Sequence, residues 1–189
     1  MNEYQTVIVE RRFKEQASFA ALQAAEDAVG WCLEQHRVTF RHSYVSLDGR
    51  KMVCFYSAPD AEAVRETQRR GELPVECVWS AQVLGDTGRR AAEPGRSTVL
   101  VERAFAEPVP PAMFEALLAS GEGCLRTNQV NFLFTNLSFD RMRMICVYQA
   151  PDAEAVRRAN RQLGVPVSSV WTASFHGPLG LQVTRSDDR

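Results

Sequence analysis

The sequence predicts an α+β fold: two ferredoxin-like βαββαβ repeats packed sheet to sheet as an intrachain pseudo-dimer, an α+β barrel. Three observations carry this. The chain matches itself without a gap at an offset of 92 residues, from Thr6 to Ala81 against Thr98 to Ala173. Within each copy the hydrophobic period alternates between that of a strand and that of a helix in a fixed order. Both faces of the predicted strands carry large apolar residues, so the face the helices leave open requires a second sheet, which the other copy supplies.

The elements follow in order. Val7 and Val9 alternate with Ile8 and Glu10 as a strand, and Thr6-Val7-Ile8-Val9-Glu10-Arg11 returns as Thr98-Val99-Leu100-Val101-Glu102-Arg103. Leu22, Ala25, Val29 and Cys32 recur at helical spacing, and Pro110-Pro111 marks the same helix start in the second copy. Val38 to Ser46 alternates as a strand, Asp48-Gly49 signals a two-residue hairpin, and Met52 to Tyr56 is the return strand. Pro59-Asp60 opens a second helix with the proline in its first turn, and Arg69-Arg70 suit its C-terminal end. Val78 to Val83 is the last strand. The predicted organisation is a first repeat over 1–84, a linker over 85–97, a second repeat over 98–176 and a C-terminal tail over 177–189.

Composition narrows the function. The 189 residues hold 22 Lys+Arg against 23 Asp+Glu, a net charge of -1, which gives no footprint for wrapping nucleic acid or coating an anionic membrane. No apolar run approaches the roughly 18 residues of a membrane span, and Met1-Asn2-Glu3-Tyr4-Gln5 lacks the pattern of a signal peptide, so a cytoplasmic location is expected. Five cysteines without a CxxC pair predict reduced thiols rather than a disulfide framework or a zinc site. An RNA-recognition role is rejected, because Lys51-Met52-Val53-Cys54-Phe55-Tyr56 lacks the glycine-aromatic pattern of that domain's third strand. The partners expected are a small organic ligand, no nucleic acid and no membrane, in a monomer or a homodimer.

The space between the sheets is where chemistry is expected. A regular Asp48-Gly49 hairpin puts Phe40, His42, Tyr44, Val53 and Phe55 on one face, and Arg41, Ser43, Val45, Met52, Cys54 and Tyr56 on the other. Met52, Cys54 and Tyr56 return unchanged as Met144, Cys146 and Tyr148, so that face packs on the helices; the divergent face lines the space between sheets. Phe40, Phe55, Glu102, Phe132, Phe134 and Asn136 are the expected ligand-binding residues. His42 is the expected general acid or base, with Glu10 and Tyr44 orienting the substrate. The plainer alternatives are aromatics that simply fill the gap, Glu-Arg pairs exposed at a strand edge, and a structural histidine. His36 and His176 fall in predicted loop or terminal positions and carry weaker claims. Trp79 and Trp171, identical in both copies, are expected in the core.

The strings Val9-Glu10-Arg11-Arg12-Phe13, Phe40-Arg41-His42-Ser43-Tyr44-Val45 and Cys54-Phe55-Tyr56-Ser57-Ala58-Pro59-Asp60-Ala61-Glu62 resemble the small nickel-binding, ferredoxin-like family of otherwise unknown function. The likeness covers both copies, the last string recurring from Cys146-Val147-Tyr148-Gln149-Ala150-Pro151. Members are typically single-copy and pair into dimers, so the resemblance implies a fused dimer, and it implies His42 as a metal ligand. The family's helix histidine is absent: Thr67 and Ala159 stand at its positions, and Phe134 replaces the strand histidine in copy two. The function expected is therefore a small-molecule binding protein or cofactor-independent enzyme acting on an aromatic or polyketide-like compound, with no cofactor. The alternative is a nickel- or zinc-binding protein using His42 and Glu10.

Overall fold

The computed structural model describes residues 4–71, 74–85, 93–110, 112 and 122–177. Eight strands, β1 (Gln5–Arg12), β2 (Thr39–Ser46), β3 (Lys51–Ala58), β4 (Cys77–Gly85), β5 (Ser97–Ala104), β6 (Asn131–Ser138), β7 (Arg143–Ala150) and β8 (Ser169–His176), close into one antiparallel barrel in the order β1-β3-β2-β8-β5-β7-β6-β4. The helices are α1 (Phe19–Gln35), α2 (Ala61–Arg69) and α3 (Ala153–Leu163), and residues 122–127 are helical where α1 recurs. Of the expected linker only 85 and 93–97, and of the expected tail only 177, are described; the rest of both, and most of the helix expected after Pro110-Pro111, lie outside the described residues.

The two repeats do more than face each other. β2 pairs with β8, opposing Tyr44 to Phe175, and β4 pairs with β6, opposing Val83 to Asn136. Both open edges of each four-stranded sheet are thereby consumed by the other repeat, leaving no unpaired strand edge in the barrel.

Three apolar clusters result. Val7, Val9, Met52, Cys54 and Tyr56 pack under α1 and α2 with Leu22, Cys32 and Val64. Val99, Val101, Met144, Cys146 and Tyr148 repeat the arrangement around α3. The barrel interior holds Ile8, Tyr44, Val53, Phe55, Trp79, Leu100, Phe134, Ile145, Val147 and Trp171. The alternation read from the strands thus sorts Val7 and Val9 from Ile8 as the physics of a pleated sheet requires.

Three local expectations are corrected. Pro59 is not in the first turn of α2: Asp60 is the cap, its carboxylate accepting a 2.7 Å hydrogen bond from the Ala63 amide, and Asp152 caps α3 through Ala155 at the same distance. The β2–β3 connection spans residues 47–50 rather than two residues. Asp48 accepts hydrogen bonds from the Ser46 hydroxyl and the Arg50 amide, and Gly49 lies at φ 65°, with Gln16 Cγ only 2.6 Å from where a Cβ would stand.

The third correction bears on the site. β2 pairs regularly from Val45 to His42, with His42 opposite Phe55, but Phe40 opposes Tyr56, so Arg41 is an extra residue in a β-bulge. Phe40 therefore turns to the helix side, its ring edge-on to Tyr56 at 5.6 Å, rather than into the barrel. The same bulge between Phe132 and Phe134 sends Phe132 to the helix side against Tyr148 at 5.7 Å.

Candidate functional site

A cavity of about 550 Å³ opens at the end of the barrel where β1 begins and β3 ends. Its described lining combines Phe55, Tyr56, Val83 and Phe134 with polar groups from Tyr4, Gln5, Thr6, Thr39, Arg41, His42, Ser57 and Asn136. An apolar hollow with a few converging polar groups is the usual form of a small-molecule site.

His42 forms part of the wall, 5% exposed, its ring stacked on Phe55 with centroids 4.4 Å apart and planes within 9°. Tyr44 is fully buried behind it, edge-on to the imidazole at 5.5 Å, and Phe175 completes the cluster at 5.5 Å from His42 and 5.6 Å from Tyr44. These rings hold the imidazole in one plane, with its Nε2 buried. Arg41 stands next to it because the bulge breaks the alternation, so neighbouring residues of one strand both border the cavity. Arg41 is exposed and has no ion pair or hydrogen bond among the described residues.

The cavity is one-sided. At the 92-residue offset Arg41 becomes Leu133 and His42 becomes Phe134, both buried in the barrel interior. Where β8 places Phe175 against Tyr44, β4 places the smaller Val83 against Asn136. Ser57 at the rim corresponds to Gln149, which is 1% exposed. Tyr4 corresponds to Arg96, whose guanidinium donates to the backbone carbonyls of Gln129 and Gln149. Larger side chains and a fastened arginine fill in repeat two what repeat one and β4 leave open.

The two glutamates lie at the other end. Glu10 opposes Val53 near the β2–β3 turn and accepts a 2.6 Å hydrogen bond from Trp79 Nε1; Glu102 accepts one of 2.7 Å from Trp171 Nε1. Each is closed over by a cation of the other repeat. Arg143 is 3.8 Å from Glu10, while Arg12 at 2.9 Å and Lys51 at 3.8 Å face Glu102. Burial pushes the Glu10 carboxyl above its ordinary range, against the Trp79 hydrogen bond, with the Glu102 charge adding to the rise. Burial likewise pulls the Lys51 ammonium below its ordinary range, with Glu102 opposing.

Of the residues singled out from sequence, the structure brings His42, Phe55, Phe134 and Asn136 to the cavity, with Tyr44 behind His42. Glu10 and Glu102 are excluded from it because each is tied to a tryptophan at the far end, and Phe40 and Phe132 because the bulges turn them outward. His176 ends β8 rather than lying in a loop, its Nε2 2.8 Å from the Ser174 hydroxyl. Arg41 and Val83 were not singled out. The signal that marks Arg41 is its exchange for leucine at the repeat offset, a charge replacing an apolar side chain. Trp79 and Trp171 are core residues as read, and also the donors to both glutamates.

The donors do not suit a nickel or zinc ion as placed. His42 is ringed by Phe55, Tyr44 and Phe175, whereas Glu10 lies on the far side of β3, bound to Trp79. Among the described residues no three His, Cys, Asp or Glu side chains converge.

A family model described as "Nickel responsive protein SCO4226-like" matches residues 8–80 and again 100–172. No curated protein matches the chain. Among solved structures, the chain resembles chlorite dismutase from Candidatus Nitrospira defluvii in complex with imidazole, at 12% identity and TM-score 0.50, covering 90% of each chain. It also resembles a candidate chlorite dismutase, TA0507, at 11% identity and TM-score 0.48, covering 92% of this chain and 95% of that one. A candidate monooxygenase of Lactobacillus acidophilus NCFM aligns at 10% identity and TM-score 0.46, covering 91% and 93%. At such identities the likeness concerns the fold alone.

Proposed function

The chain belongs to the SCO4226-like, nickel-responsive family, and from that premise and the one-sided cavity we propose that it is a small-molecule binding protein, with His42 the acid-base group of a cofactor-independent reaction on an aromatic or polyketide-like compound. The observation that supports this most is the cavity itself, about 550 Å³ beside a stacked, nearly buried histidine. A histidine fixed in orientation by aromatic neighbours and bordering an apolar hollow can take or give a proton at a ligand atom near its ring edge. Phe55 and Phe134 offer flat apolar surface to an aromatic ligand, and Asn136 offers an amide. Tyr44 acts through His42, as a positioning residue behind the ring.

The test is a thermal-shift screen of aromatic and polyketide-like compounds on the full chain. A cavity ligand at one hundred times its Kd stabilises by about 2.7 kcal/mol, and the shift should vanish in Val83→Phe, whose ring fills the hollow as Phe175 fills its counterpart. If no compound shifts the melt of the wild type, or the plugged variant responds equally, the cavity is not a ligand site. For a compound that is turned over, His42→Phe, which installs the repeat-two residue, should abolish the reaction without lowering Tm by more than a few degrees; an unchanged rate removes His42 from the chemistry.

Family membership favours a second reading, nickel binding through His42 and Glu10. The separation of these two residues by β3 argues against a shared ion, and calorimetric titration with Ni²⁺ decides it: micromolar binding abolished by His42→Phe restores the metal reading.

A further inference from the structure

We infer that the ligand of this cavity is a small organic anion with a flat apolar body, its charged group held by Arg41; the inference rests on reading the cavity as a ligand site. Arg41 is the one Lys or Arg among the described lining residues, and none of those residues is an Asp or Glu. It has no counter-ion or hydrogen-bond acceptor among the described residues. A cation set at the rim of an apolar hollow and left without an acceptor suits an incoming carboxylate, phosphate or sulfonate, which a guanidinium grips through two parallel N–H donors.

The repeat supplies an internal control. The same bulge occurs at Phe132/Phe134, and there the extra residue is Leu133, 6% exposed in the barrel interior. The backbone irregularity therefore accommodates an apolar residue, and a cation is not a requirement of the bulge. Bulges re-aim side chains; here the re-aimed side chain is a charge set beside His42, so that an anion on Arg41 would bring the adjoining part of the ligand against the imidazole and the Phe55 ring. The neighbouring arginine does not compete for this role, because Arg37 is occupied with Tyr4: its Nε donates to the phenol oxygen at 3.1 Å and its guanidinium lies 5.3 Å from the ring centroid. Tyr4 is thereby held at the rim.

The experiment compares two probes with one skeleton, 8-anilinonaphthalene-1-sulfonate and its uncharged parent N-phenyl-1-naphthylamine, by fluorescence titration of the full chain. Arg41→Leu, which copies Leu133, should weaken the sulfonate about fivefold or more while leaving the uncharged probe unchanged. Raising salt should weaken the sulfonate on the wild type and not on the variant. Val83→Phe should weaken both probes. If Val83→Phe weakens both but Arg41→Leu changes neither, the cavity binds ligands and Arg41 is not the anchor, which overturns this inference alone. If Val83→Phe changes neither, or neither probe binds, the cavity reading falls and this inference with it. Circular dichroism and Tm of both variants establish that each is folded.

Discussion

Glu10 and Glu102 show how a residue that looks catalytic in sequence becomes structural in three dimensions. Each carboxylate accepts the indole N–H of a tryptophan in the barrel core, and a buried indole donor left unmet costs about 1–3 kcal/mol. For Glu10 the arrangement has a pH signature. Its carboxyl is raised by burial, so the folded state holds this proton more tightly than the unfolded chain. Stability from this group is therefore greatest below the ordinary glutamate value of about 4.3 and declines as pH rises toward the folded value. Glu10→Gln keeps an oxygen acceptor for Trp79 and removes the charge, so the variant should gain on the wild type as pH rises from 4 to 8 in urea unfolding. A difference that does not change with pH refutes the burial account. Trp79→Phe, which strips the carboxylate of its donor, should destabilise by about 1–3 kcal/mol at neutral pH.

At the scale of elements the helices behave as independent, matched units. Asp60 and Asp152 cap α2 and α3 with identical geometry, so Asp60→Ala and Asp152→Ala should each cost about 1 kcal/mol. The double variant should show the sum within about 0.5 kcal/mol in urea unfolding. The order of the elements and the two faces were legible because each rests on a short-range rule: the hydrophobic period switches between strand and helix, and pleating alternates side chains one by one. The alternation carries a register only as far as the first irregularity. From the turn it sorts Tyr44 and His42 correctly against Val53 and Phe55, then fails at Arg41, where β2 accommodates one residue more than β3 opposes. No glycine or proline marks the bulge, so Phe40 and Phe132 were placed on the wrong face, and Arg41 with them. Glu10 was placed on the correct face but at the wrong end, since a face is set by parity while position along a barrel axis depends on the closure of all eight strands.

The whole molecule depends on that closure. A chain ending at Gly85 would expose the apolar inner face and both sheet edges, β2 and β4, that the second repeat covers. Such a fragment should form a two-chain barrel, β2 of one copy pairing with β4 of the other, and elute at twice its mass in light-scattering chromatography. A folded monomer would show that the second repeat is dispensable for closure. That barrel would differ from the native one in a telling way: Arg41, His42 and Val83 would each occur twice, on opposite sides of the same mouth. In an assembly of identical chains every substitution is made in duplicate, so hollowing one side of the mouth by exchanging large interior side chains for small ones, at a few kcal/mol each, hollows the other side as well. Covalent fusion lifts this symmetry constraint. With Phe175, Leu133 and Gln149 packed on one side and Val83, Arg41 and Ser57 on the other, one half acts as a keel while the other is free to vary, and selection can reshape a binding mouth without weakening the barrel twice over.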